Sequence, residues 1–152
     1  MPTLKQGEKR EVTILLAEDD PGHARLIEKN LRRGNITNEI VTVGDGQAAL
    51  DYLAAKGERG PGRRPLPILV LLDLNLPVLD GYQVLQRMKA DERTKRIPVV
   101  VLTTTDDPRE VARCYDLGCN VYITKPVDYE QFSNAVRQLG LFLSIVTFPD
   151  RE

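Results

Sequence analysis

The chain has little net charge, little cysteine and no long apolar run, and each shortage removes a class of function. Its 21 lysines and arginines stand against 22 aspartates and glutamates, a formal charge of −1. No long-range field therefore draws it to nucleic acid or anionic lipid. No basic face or helix-turn-helix extension is visible either, so nucleic-acid binding is not expected. The two cysteines, Cys114 and Cys119, are too few for a disulfide framework and have no zinc-site pattern around them. They read as reduced thiols of a cytosolic protein, with Cys119 a small apolar filler. The longest clean apolar run, Ile68 to Leu72, is far too short to span a bilayer. The opening MPTLKQGEKR has no apolar h-region and so does not read as a signal peptide. A soluble, cytoplasmic protein without membrane contact is expected.

What is present fits one ordinary globular domain. The 152 residues are 41% hydrophobic and 28% charged, enough to bury a core without staples. Residues 1–11 are polar and read as a loose tail. Five short apolar runs follow: Val12–Ala17, Ile40–Val43, Ile68–Leu72, Val99–Leu102 and Val121–Ile123. Most are β-branched and nearly continuous, which fits strands buried on both faces. Helical stretches alternate with them. Asp20-Pro21 and Asp107-Pro108 are helix starts, with Asp as N-cap and Pro in the first turn. Gly34 and Gly118 end those helices. Asp128 followed by Gln131 resembles a capping box, and further helices are expected over Gly46–Lys56 and Gly81–Ala90. Gly57–Pro67, rich in Gly, Pro and Arg, reads as a long surface loop. Five βα units in series predict a parallel sheet with helices on both faces. Such folds have two common strand orders, one of them 2-1-3-4-5.

The chemistry-bearing residues collect where strands end. The first run leads into Glu18-Asp19-Asp20 and the third into Asp73-Leu74-Asn75. The fourth leads into Thr103-Thr104-Thr105 and the fifth into Thr124-Lys125-Pro126. Open parallel sheets bind ligands outside the carboxyl ends of their strands, where the strand order reverses. In the order 2-1-3-4-5, Glu18, Asp19 and Asp73 face one another there, with Thr103 and Lys125 to one side. Clustered carboxylates raise each other's pKa, and a hard divalent cation such as Mg²⁺ relieves this. A carboxylate beside such a cation can attack phosphorus and form an acyl phosphate. Phosphoryl transfer then rests mostly on positioning and charge neutralisation. Asp73 is the best-placed attacker, Lys125 the fixed cation, and Thr103 a hydroxyl donor to a phosphoryl oxygen.

At these residues the sequence resembles the receiver domains of two-component response regulators. The matching pieces are LLAEDD, LLDLNLPVLDG, VVVLTTT and YITKP. Thr103 lies 30 residues and Lys125 lies 52 residues after Asp73, spacings typical of the family. The likeness covers about residues 12–143, leaving 144–152 as a C-terminal extension. The resemblance implies a doubly wound five-stranded sheet in the order 2-1-3-4-5. It implies Asp73 as phosphoacceptor, Glu18 and Asp19 as the acidic pair holding Mg²⁺, and Asn75 as donor of a backbone carbonyl to it. It also implies Lys125 as the phosphoryl contact, a cis bond before Pro126, and Thr103 with Tyr122 as the switch pair. Asn75 and Thr105 would tune the lifetime of the aspartyl phosphate. A closer likeness is to the small response regulators paired with bacterial phytochromes, red-light sensor histidine kinases. It rests on the loop before the third strand, LGCNVYITKP, and the tail LGLFLSIVTFPD. The resemblance implies a homodimer through the fourth and fifth helices, the fifth strand and the apolar tail.

Other readings compete. An aspartyl phosphatase or phosphotransferase needs D-x-D, and Asp73-Leu74-Asn75 lacks the second Asp. A phosphorylation-independent module of the same fold usually loses an acidic ligand, the acceptor or the lysine, and this chain keeps all of them. The expected protein is thus a phosphoacceptor switch with no outside substrate to turn over. With no output domain expected, phosphorylation would act through partner binding, dimerisation or return transfer to another histidine protein. His23, the only histidine, reads as structural or solvated rather than functional.

Overall fold

Leucine and β-branched residues build the strands, and a cap residue opens most of the helices. The computed structural model describes residues 13–34, 36–55 and 66–139. Its strands are β1 (Thr13–Ala17), β2 (Glu39–Val43), β3 (Leu69–Asp73), β4 (Val99–Thr103) and β5 (Val121–Thr124). Its helices are α1 (Pro21–Arg33), α2 (Gly46–Ala55), α3 (Gly81–Ala90), α4 (Pro108–Asp116) and α5 (Tyr129–Gln138). The sheet is parallel with the order β2-β1-β3-β4-β5, as expected. The tail over 1–11, nearly all of the loop over 57–67 and the extension over 144–152 lie outside the described residues.

Alternation along the strands splits the core into two layers. Ile14, Leu16, Leu69, Leu71 and Leu102 face α1 and α5, where Ile27, Leu31 and Phe132 meet them. Leu15, Val70, Leu72 and Val101 face α2, α3 and α4, against Leu53, Leu85, Met88 and Cys114. Burial on both faces holds for β1, β3 and β4, but the expectation fails for β2. Its residues are exposed or half-buried, because it is an edge strand and an apolar run does not reveal its place in the sheet. Every other residue of β5, the opposite edge, is also only half-buried.

The caps follow the sequence closely. Asp20 accepts from the Gly22 and His23 amides, and Asp107 from that of Arg109. The Asp128–Gln131 capping box is complete, and a second one, Asp80–Gln83, opens α3. Gly34 does not end α1 through left-handed backbone, since its φ is −87°. A Cβ there would sit 1.9 Å from the Tyr129 ring, so close packing calls for glycine at that position. Gly118 does adopt a left-handed φ of 108°. Cys114 and Cys119 are free and buried, and burial pushes the Cys119 thiol up to about 12.

Val78, in the loop between β3 and α3, has a φ of 70° and is 74% exposed. A β-branched residue in that region is strained, and no burial repays the cost. Val78→Asn, which tolerates this backbone, is expected to stabilise the protein by about 1 kcal/mol. Urea unfolding should show a higher midpoint with an unchanged slope. An unmoved midpoint would argue that no strain is held there.

Candidate functional site

Strand register builds the site. Ala17 pairs with Leu72 across β1 and β3, so the next residues, Glu18 and Asp73, emerge side by side. Asp73 is the last residue of β3 and pairs with Leu102, while Thr103 ends β4 opposite Thr124 of β5. Lys125 therefore follows directly beside Thr103, and its amide donates to the Thr103 carbonyl at 2.7 Å. The peptide bond between Lys125 and Pro126 is cis.

Glu18 and Asp73 are buried, and Asp19 beside them is exposed. Each of the three offers a carboxylate oxygen, and these oxygens all lie within 4.8 Å of one another. Burial pushes the Glu18 carboxyl above the usual carboxylate range. Asp73's charge adds to this, and the hydrogen bond from Lys125 opposes it. The donor set fits a hard divalent cation: oxygen ligands only, excess negative charge, and an exposed side through Asp19 for the waters such an ion keeps.

Lys125 Nζ donates to Glu18 Oε1 at 2.6 Å and reaches Asp73 Oδ2 at 3.4 Å. Asp73 Oδ1 accepts from the Asn75 amide at 3.2 Å, so the loop that follows β3 holds the carboxylate's orientation. The Asn75 side chain is exposed beside it. Thr103 Oγ1 accepts from the Thr105 amide at 3.2 Å, and Thr105 Oγ1 accepts from the Asp107 amide at 3.1 Å. The half-buried Tyr122 donates its hydroxyl hydrogen to the Thr105 carbonyl. Tyr122 is thus tied to the same loop as Thr103. Asp20, whose side chain caps α1, also donates its amide to Glu18 Oε2 at 3.2 Å. His23, expected to be structural or solvated, stands here as well: its Nδ1 lies 3.3 Å from Lys125 Nζ.

Comparison with known proteins decides the family. The model of the response regulator receiver domain matches residues 14–137. The chain belongs to the response regulator receiver family. This receiver is 40% identical over 137 residues to the response regulator Rcp1 of Synechocystis sp., covering 90% of this chain and 92% of Rcp1. The structure of the bacteriophytochrome response regulator AtBRR aligns with a TM-score of 0.75 and 40% identity, over 89% of this receiver and 96% of that chain. The structure of the phosphorylated cyanobacterial phytochrome response regulator RcpA aligns with a TM-score of 0.68 and 42% identity, over 86% and 91% of the two chains. Rcp1 itself has a Mn(2+)-bound structure that aligns at 0.67 with 39% identity, over 86% and 92%. Five parallel strands in receiver order and an acidic cluster suited to a divalent cation agree with that membership. No helix among the described residues is long and apolar enough to cross a membrane.

Proposed function

We propose that the chain is a cytoplasmic switch that takes a phosphoryl group onto Asp73 from a sensor histidine kinase of the phytochrome type. One observation carries this reading. Asp73, at the end of a buried central strand, is met by Lys125 at 3.4 Å and by the carboxylates of Glu18 and Asp19. In the transfer, a carboxylate oxygen of Asp73 attacks phosphorus and a P–O bond forms. The P–N bond to the kinase histidine breaks, and its electron pair returns to the imidazole. Glu18, Asp19, Asp73 and the Asn75 carbonyl are the proposed ligands of Mg²⁺, which supplies positive charge to the phosphoryl oxygens. Lys125 contributes the fixed charge. Thr103 gives up its local contact to Thr105 to donate to a phosphoryl oxygen. Tyr122 follows through the Thr105 carbonyl and re-forms the surface of α4, β5 and α5. Asn75 and Thr105, flanking the acceptor, set how readily water reaches the acyl phosphate.

The similarity to AtBRR and RcpA supports a phytochrome kinase as donor. The apolar residues Phe142, Leu143, Ile145, Val146 and Phe148 support a homodimer through α4, β5, α5 and this extension. The test is intact mass after incubation with acetyl phosphate, with Mg²⁺ or EDTA, followed by native mass spectrometry of the same samples. One phosphoryl group that needs Mg²⁺ and is stripped by hydroxylamine is the expected result, on a protein of twice the chain mass. No incorporation by the folded protein would move the reading to a phosphorylation-independent module. A monomer in both states would remove the dimer.

A further inference from the structure

The ammonium of Lys125 has three hydrogens to donate and cannot accept. Three groups face it: Glu18 Oε1 at 2.6 Å, His23 Nδ1 at 3.3 Å and Asp73 Oδ2 at 3.4 Å. One of these acceptors is the histidine that the sequence offered as structural or solvated. His23 comes from the first turn of α1, where its own amide donates to the Asp20 cap at 3.2 Å. Because a lysine ammonium only donates, a hydrogen bond here requires the lone pair on Nδ1 and, in the neutral ring, the proton on Nε2; Nδ1 also lies 3.8 Å from Glu18 Oε2. Nε2 in turn faces Asp20 Oδ2 at 3.8 Å. The His23 side chain is 51% exposed, so core filling does not explain its place. His23, Thr104, Lys125 and Pro126 share the wall of one cavity open to solvent.

We propose that His23 is a positioning residue for Lys125. By accepting one ammonium hydrogen it keeps the flexible lysine stem from turning wholly onto Glu18, and it leaves another N–H aimed at Asp73. Lys125 then meets an arriving phosphoryl group already aligned, so less of the cost of ordering that side chain falls on the transfer. The inference rests on the reading of Asp73 as phosphoacceptor.

The experiment compares wild type, His23→Ala and His23→Asn with acetyl phosphate and Mg²⁺, reading initial labelling rate, final level and thermal midpoint. Acetyl phosphate serves as donor so that recognition of a kinase does not enter. The Asn amide oxygen accepts where Nδ1 does. His23→Ala is expected to label about 3- to 10-fold more slowly, the value of one modest hydrogen bond. His23→Asn should return to within about twofold of wild type, with final level and midpoint shared by all three. A second readout needs no phosphate. With a single histidine in the chain, its ring ¹⁵N signals are unambiguous. They should show the Nε2–H tautomer in wild type and lose that bias in Lys125→Ala. Equal rates for wild type and His23→Ala overturn the proposal. So does His23→Asn as slow as His23→Ala, which would assign the effect to the ring's shape. If wild type takes no phosphate, the Asp73 reading fails instead, and the ¹⁵N spectra still decide whether His23 holds Lys125.

Discussion

Asp73→Asn is expected to reduce phosphoryl incorporation to below about 1% of wild type and, in EDTA, to make the protein more stable. The first effect follows because a carboxamide is no nucleophile toward phosphorus at neutral pH. The second follows from the charges. Glu18 and Asp73 are both buried and share one lysine, whose stronger contact is to Glu18 at 2.6 Å against 3.4 Å to Asp73. Burial holds the Glu18 carboxyl up, and Asp73's charge raises it further. An asparagine keeps the Oδ1 acceptor that the Asn75 amide uses at 3.2 Å and removes the surplus charge. The gain is on the order of 1 kcal/mol, an ordinary size for a single substitution. Mg²⁺ should reverse the ranking, because a ligand stabilises the form that binds it more tightly. Urea unfolding in EDTA and in Mg²⁺, beside intact mass, reads all three effects. Label persisting in Asp73→Asn would point to another acceptor. A loss of stability in EDTA would show that the Lys125 contact outweighs the repulsion.

What the sequence revealed, and what it hid, divides by the range of the interaction. β1, β3 and β4 were legible because a run such as Leu69–Leu72 leaves no polar residue for a wet face. The α1 start at Asp20-Pro21 was legible because a cap is made within three residues. The Asp80–Gln83 capping box is equally readable in its D-x-x-Q spacing. The wet flank of β2 was only partly readable: Glu39 and Thr42 are its exposed residues, but Ile40, Val41 and Val43 read as buried, and only the sheet order leaves them half-buried at an edge. The left-handed backbone of Val78 carries no local signal, because valine is among the last residues expected there. His23 was hidden for a third reason. Its partner Lys125 is 102 positions away, and only the assembled sheet brings the β5 end over the start of α1. The carboxylates escaped that limit because they stand at strand ends, where register alone brings them together.

Gly81→Ala is expected to cost about 3 kcal/mol of stability, at the upper end of ordinary overpacking. A Cβ at this position would stand 2.4 Å from the Asp73 carbonyl oxygen and 2.6 Å from the Leu74 Cα. Both atoms belong to backbone, so no side-chain rotation makes room. The Gly81 amide also donates to the Leu74 carbonyl at 2.9 Å, which fixes the helix start against the strand end from which Asp73 projects. Relief must come from moving α3 outward or from pushing the end of β3 inward. The second movement displaces the acceptor itself. A shift approaching 1 Å at a reacting group can cost on the order of 100-fold in rate. The folded fraction of Gly81→Ala should therefore label at least about 10-fold more slowly with acetyl phosphate than wild type. Gly44→Ala is the matched control: a Cβ there meets nothing within 4 Å, so its stability should stay within about 0.5 kcal/mol of wild type. Equal urea midpoints for the two variants would mean that the strand end yields freely. In that case the packing of α3 could not be what holds Asp73 in place.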